Sequence, residues 1–305
     1  MQHTRRRILD ALSAKPVSGP AIAEELSISR AAVWKHIEAL RAEGFEIQSH
    51  DDGYVLASVP EFGVGVEYGL DAPFDIEYHD SIGSTNNRGR ELAVSGEEKI
   101  AVLADEQVGS RGRLDREWVS PSGGIWVSLV CRPDIPTAHA PIYTLAAAVA
   151  ATEALREIGV DAEIKWPNDI LVDGKKIVGI LTEMEGEADR VSWIVVGIGI
   201  NANIDPETVP GTATTVREQV GEVNRAKLTR SLIERFEQYR RDPDGVLSAW
   251  REFSDTLGRR VRVETPGGDV VGKAVDIEFP GTLIVETEDG PTRVSAGDCE
   301  HLRPV

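Results

Sequence analysis

Three arginines, a glycine and a tryptophan crowd into Ser110-Arg111-Gly112-Arg113-Leu114-Asp115-Arg116-Glu117-Trp118, a polar loop between the apolar runs "IAVLADEQ" and "GGIWVSLVCRP". Guanidinium groups present planar donor forks suited to phosphate oxygens. The backbone near Gly112 offers amides, and the indole of Trp118 offers a flat face for a base. A solvated surface loop would carry the same residues. Lys165 stands directly before Trp166-Pro167. A residue preceding proline is biased to extended backbone, so Trp166 should fix the exit of Lys165 from the strand-like "AEIKW". Its ammonium is then either a fixed charge in a site or a solvated strand-end group.

Gly197 and Gly199 interrupt the otherwise buried-looking strand "SWIVVGIGIN". Glycine weakens a strand unless something approaches its backbone or a bulge forms there. Ser84-Thr85-Asn86 opens a helical stretch that these residues can cap, and the same side chains could supply polar groups to a site.

The elements that must position these residues fall into three segments. Residues 1–60 read as helix, helix, turn, helix and hairpin. Ile8, Leu9 and Leu12 form one stripe, Ala21, Ile22 and Leu26 a second, and Ala32, Val33, Ile37 and Leu40 a third, with Ser29 as N-cap and Asp52-Gly53 as a hairpin turn. That is the pattern of a winged helix-turn-helix, with Arg30, Lys35 and His36 where a recognition helix meets bases and phosphates. A small helical packing domain is the alternative. "SVPEFGVGV" reads as a linker.

Residues 66–256 alternate strand and helix signals, including a long helix ending at Gly159 and a tight Asp173-Gly174 turn, and read as a mixed α+β domain. Residues 257–305 hold short alternating runs split by Gly-Gly, Pro-Gly and Asp-Gly, the pattern of a small SH3-like β-barrel.

Charge limits the partners. The chain of 305 residues carries a formal net charge of -18, and residues 1–60, with seven basic and eight acidic groups, hold only -1 of it. The acidic remainder repels nucleic acid, so a DNA contact belongs to the N-terminal segment. Arginine outnumbers lysine by about three to one, a balance suited to a salty cytoplasm. Cys131 and Cys299 form neither a disulfide framework nor a metal cluster, and fit a reducing compartment. With no signal-like or membrane-spanning run, a cytoplasmic protein without a membrane partner is expected.

In order and spacing, "GSTN", "DEQ" with "SRGRLDREW", "KWPNDI", "GKKIVGILTE" and "GIGINAN" resemble the biotin protein ligases over essentially the whole chain. "SRAAVWKHIEALRAEGFEI" is similar to the DNA-binding segment of that family's bifunctional ligase/repressors. The resemblance implies a winged helix-turn-helix at 1–60, a class II synthetase-like mixed-sheet catalytic domain at 66–256 and the barrel at 257–305. It also implies two steps: biotin and Mg2+-ATP give biotinyl-5'-AMP and pyrophosphate, then biotin passes to a lysine of a biotin carboxyl carrier domain. By the same resemblance biotin is expected to be both substrate and effector, operator DNA a second partner, and a homodimer to form on biotinyl-AMP binding. No resident metal site is implied beyond the Mg2+ that accompanies ATP.

Residue by residue, the resemblance places Ser84, Thr85, Asn86 and Gln107 against the biotin rings, with Gly197 and Gly199 as the floor. It places Arg111, Gly112 and Arg113 over biotin and phosphate, and Arg116, Trp118, Asn168 and Asn201 on the nucleotide. Lys165 bridges the biotin carboxylate and the α-phosphate, making it the leading catalytic residue with Arg111 and Arg113. Ser29, Arg30, Trp34, Lys35 and His36 face DNA. Ser110 and Asp115 stand where the family's loop often has glycine. A lipoate ligase and a ligand-sensing regulator without catalysis are the competing readings.

Overall fold

Two serine caps organise the N-terminal unit of the computed structural model, which describes residues 3–13, 15–113, 116, 118–187 and 189–302. Helix α1 (His3–Leu12) leads to α2 (Gly19–Glu25), where the Ser18 hydroxyl accepts from the Ala21 N–H. Ser29 accepts likewise from Ala32 at the start of α3 (Arg30–Ala42). Each cap satisfies a donor that the first turn of a helix leaves open. Ile8, Leu9, Leu12, Ile22, Val33, Ile37 and Leu40 close into one core, as their helical spacing requires.

Strands β1 (Glu46–His50) and β2 (Gly53–Ser58) form the wing hairpin. Gly53 has φ 133°, and a Cβ there would stand 2.3 Å from the Val17 backbone. The stretch expected as an open linker is partly structured. Helix α4 (Val64–Glu67) follows it, Val66 is fully buried, and Tyr68 meets Phe45 edge-on at 6.1 Å. Its apolar side chains pack on the N-terminal core, so this unit runs to Leu70.

The second unit, from Asp71, is built on β3 (Asp75–Ile82), α5 (Thr85–Val94), β4 (Ile100–Gln107), β5 (Ile125–Cys131), α6 (Pro141–Glu157), β6 (Glu163–Lys165), β7 (Asp169–Val172), β8 (Lys175–Glu187), β9 (Arg190–Ile200), α7 (Val216–Val220), α8 (Arg225–Tyr239) and α9 (Pro243–Glu252). Its seven strands run in the order β3-β4-β5-β9-β8-β7-β6. The β3–β4 pair is parallel and the other pairs are antiparallel. Strand β5 is buried at every residue, as expected of an apolar run broken only by Ser128. Ala146 through Ala151 of α6 are all buried, and these small side chains let the helix pack against both β8 and α8.

The chain ends in β10 (Arg260–Thr265), β11 (Gly268–Glu278), β12 (Thr282–Thr287), β13 (Gly290–Val294) and β14 (Asp298–His301), an antiparallel sheet ordered β13-β12-β11-β10-β14. This is the small β domain expected. Trp166 fastens the central sheet to it. The residue is 1% exposed, its N–H donates to Thr256 Oγ1 at 2.9 Å, and its indole N–H donates to the Gly281 carbonyl at 3.0 Å. The Trp166-Pro167 peptide is cis.

Candidate functional site

A cavity of about 370 Å³ opens on the face of β8 and β9, bounded by the first turn of α5, the loop after β4, residues 209–213 and Asp298. That volume falls within the range of small-molecule sites. Ser84, Thr85, Asn86 and Gln107 line one part, and Arg111, Gly112, Arg113, Arg116 and Trp118 another. Asn168, Gly197, Gly199 and Asn201 complete the set of expected small-molecule residues that face it.

The α5 end is a fixed polar cluster. Ser84 caps the helix, accepting from the Asn87 N–H at 3.3 Å, and also lines the cavity. Asn86, 7% exposed, donates to the Leu181 carbonyl at 3.1 Å and to Glu183 Oε2 at 2.9 Å, and its Oδ1 lies 2.6 Å from the Ser128 hydroxyl. The two strand glycines exist for close approach. A Cβ on Gly197 would stand 2.1 Å from Asn86 Oδ1, and one on Gly199 would stand 3.0 Å from the Trp118 indole nitrogen.

The lysine assignment needs correction. Lys165 does not line the cavity. It closes β6 opposite Asp169, and its charge is felt at Cys299 of β14, whose thiol burial pushes up to about 11 while Lys165 pulls it down. The lysine that lines the cavity is Lys176. Its ammonium lies 2.6 Å from Asp169 Oδ1 and 4.9 Å from the centre of the Trp118 ring.

A β-bulge puts Lys176 on the cavity face. Ile170 pairs with Val178 but Leu171 pairs with Lys176, so Ile177 is an extra residue on β8. In a regular strand positions 176 and 179 would face opposite sides; one inserted residue puts them on the same side. Lys176, Gly179 and Asp169 accordingly all face the cavity. The doublet Lys175-Lys176 was visible in the sequence, but strict alternation gives it the wrong phase.

The arginine loop is tied to the C-terminal sheet. Arg113 donates to Asn168 Oδ1 at 2.9 Å and to the Gly297 carbonyl at 2.9 Å. Arg116 pairs with Asp298, a cavity-lining residue, and the carboxylate beside it raises the guanidinium pKa. Neither Asp169 nor Asp298 stands out from the sequence, since each joins the site only through tertiary contact. Leu114, Asp115 and Glu117 lie outside the described residues, and the Asp115 departure with them. Among the described residues no group of three or more His, Cys, Asp or Glu side chains is arranged to hold a metal ion. In the N-terminal unit Ser29, Arg30 and Lys35 are exposed, His36 is half-buried, and Trp34 is 58% exposed, unusual for an indole with no core role.

Residues 79–201 match the Biotin/lipoate A/B protein ligase family, residues 256–302 the Biotin protein ligase C terminal domain, and residues 4–55 an HTH domain. The chain is 39% identical over 308 residues to the Bacillus subtilis bifunctional ligase/repressor BirA, covering 93% of each chain. The chain belongs to the biotin protein ligase family. A biotin–acetyl-CoA-carboxylase ligase of Mycobacterium tuberculosis is 34% identical over 72% of this chain and 86% of its own. The solved biotin protein ligase of Aquifex aeolicus, in complex with biotin and ATP, superposes with a TM-score of 0.62 at 26% identity, over 75% of this chain and 99% of that one. Both ligase matches fall on the unit that holds the cavity, and the HTH match falls on the other. No helix among the described residues is long and apolar enough to cross a membrane.

Proposed function

We propose that the cavity is where biotin and ATP meet, and that the chain makes biotinyl-5'-AMP there and passes biotin to a carrier-domain lysine. The observation that carries the site assignment is the convergence, in one cavity, of a glycine-floored polar pocket, an arginine loop, and Lys176 between them. The biotin carboxylate oxygen attacks the α-phosphorus, the bond to the β-phosphate oxygen breaks, and pyrophosphate leaves. Two anions must approach, so positive charge preorganised at the point of attack is the largest contribution the protein can make.

Lys176 takes the role that the resemblance gave to Lys165, bridging carboxylate and phosphate. Ser84, Thr85, Asn86 and Gln107 hold the biotin rings above Gly197 and Gly199. Arg111, Gly112, Arg113 and Arg116 cover the phosphates, and Trp118, Asn168 and Asn201 hold the nucleoside. Bound beside ATP, Mg2+ would screen phosphate charge. Among the described residues Asp169 and Asp298 are the carboxylates lining the cavity, and they would hold the ion, since one or two carboxylates plus phosphate oxygens are a common set for it. As Lys176 turns to phosphate, Asp169 is left placed to take a proton from the carrier ammonium. The freed amine attacks the acyl carbon and AMP leaves.

The unit that ends at Leu70 acts as the DNA-binding domain, the part of the second unit from Asp71 to 256 as the catalytic domain, and 257–305 as its C-terminal support. Ser29, Arg30, Trp34, Lys35 and His36 form the DNA face. The partners are a biotin carboxyl carrier domain, operator DNA and a second copy of the chain recruited by biotinyl-AMP, all in the cytoplasm. The test is incubation with ATP, a carrier domain, and either biotin or lipoate. Biotin alone should release pyrophosphate and add mass to the carrier; lipoate transfer supports the lipoate ligase, and no transfer with either supports the non-catalytic regulator.

A further inference from the structure

We propose that Ser110 is a positioning residue that joins the α5 end of the cavity to Trp118 through a one-way chain of hydrogen bonds. The proposal rests on the reading of the cavity as the biotin and ATP site. The chain begins at the Thr85 N–H, which can only donate and gives to Gln107 Oε1 at 2.8 Å; the Thr85 hydroxyl lies 3.0 Å from the same oxygen. With Oε1 so engaged, Gln107 Nε2 faces Ser120 Oγ at 3.1 Å. Ser120 Oγ lies 2.8 Å from Ser110 Oγ, and Ser110 Oγ contacts the Trp118 carbonyl.

That carbonyl can only accept, so Ser110 donates to it. Ser110 then accepts from Ser120, and Ser120 from Gln107. Backbone groups at the two ends thus fix the direction of every proton between them. A chain polarised in one sense is stronger than its separate bonds, and breaking one link weakens the others.

Ser110 is the last side chain in the relay. Backbone contacts at the foot of the loop include Gln107 N–H to the Ser120 carbonyl at 2.9 Å and Gly112 N–H to the Arg116 carbonyl at 2.8 Å, and the Trp118 ring packs edge-on to Trp126 at 6.5 Å. Where Trp118 sits determines what Lys176 meets, because the ring lies 4.9 Å from the Lys176 ammonium and against Gly179 and Gly199. A ligand engaging Thr85 therefore pulls on the same chain that seats Trp118. Glycine at position 110 could not make this link, so the serine turns an open loop base into a coupling element.

The experiment is calorimetric titration of the full chain with biotin and with a non-hydrolysable ATP analogue, each alone and with the other saturating. Wild type should show reciprocal tightening of about fivefold or more, the low end of ordinary coupling between sites. Ser110→Ala and Ser120→Ala should bring that factor below about twofold, while Ser110→Thr, which keeps the hydroxyl, retains it. Circular dichroism checks the fold of each variant. Should Ser110→Ala not fold, Ser120→Ala breaks the same chain one link earlier. Wild-type coupling in a folded Ser110→Ala or Ser120→Ala protein overturns the proposal, as does a wild type that binds both ligands without coupling. A wild type that binds neither ligand overturns the cavity reading and this proposal together.

Discussion

Replacing Lys176 with alanine removes the cationic side chain of β8 that faces the cavity beside Asp169. Two unit charges about 4 Å apart interact by roughly 4 kcal/mol at the effective dielectric of a protein surface site. Part of that attraction is already used in the free protein, since the ammonium rests 2.6 Å from Asp169 Oδ1 and must loosen that contact to reach phosphate. The variant also leaves the Asp169 carboxylate facing an anionic substrate pair without its counter-charge. These effects together match the loss of one preorganised donor from a transition state, about 2.7 to 4 kcal/mol or roughly a hundred- to thousand-fold in kcat. The assay is pyrophosphate release from biotin and ATP, with biotin and nucleotide affinity measured separately. Lys165→Ala, on a strand end outside the cavity, should stay within about threefold of wild type, about 0.7 kcal/mol. A Lys176→Ala enzyme with wild-type kcat, or a larger loss from Lys165→Ala, would refute the reasoning that moved the role from one lysine to the other.

Gly197→Ala sets a Cβ 2.1 Å from Asn86 Oδ1, and Asn86 cannot retreat without releasing Leu181 and Glu183. The KM for biotin should rise by about tenfold or more, equivalent to about 1.4 kcal/mol, and an unchanged KM contradicts the floor assignment. Asp105 is pushed up by burial, but its bonds to Ser122 and Arg225 outweigh that and hold it below its ordinary value of 3.8. A depressed carboxylate contributes stability that is present above its ordinary value and is lost as pH falls through the folded value. Wild type should therefore lose thermal stability below about pH 4 more steeply than Asp105→Asn, and parallel curves for the two proteins would show the pair is not coupled to folding. On the proposed DNA face, Arg30→Ala and Lys35→Ala should each lower the slope of log affinity against log salt by about 0.9, measured by gel shift at several salt concentrations. An unchanged slope removes that residue from the phosphate contacts.

Local signals carried well where one residue sets one bond. Ser29 and Ser84 cap the helices they precede, and Asp173-Gly174 turns the chain with both residues at positive φ. The apolar stripes of the first three helices meet in a single core, except that Ala21 is exposed while Ala23 is buried, and Ala32 is only half-buried outside that core. Gly197 and Gly199 mark close approach because a missing side chain is legible before its neighbour is known. What the sequence hid depends on phase and on distance along the chain. The bulge at Ile177 moves Lys176 onto the cavity face, and no residue type in "KKIVGIL" announces it. Asp298 reaches Arg116 across 182 residues. The stretch around Val64 looked like a linker because its glycines and proline outweighed its apolar residues, yet Val66 is fully buried.

The most direct measurement is the mass of what the chain holds after incubation with biotin, ATP and Mg2+ but no carrier. Native mass spectrometry should find one biotinyl-5'-AMP per chain in wild type, none in Lys176→Ala, and no lipoyl adenylate when lipoate replaces biotin. An unmodified wild-type mass with biotin, or full adenylate in Lys176→Ala, contradicts the account at its centre.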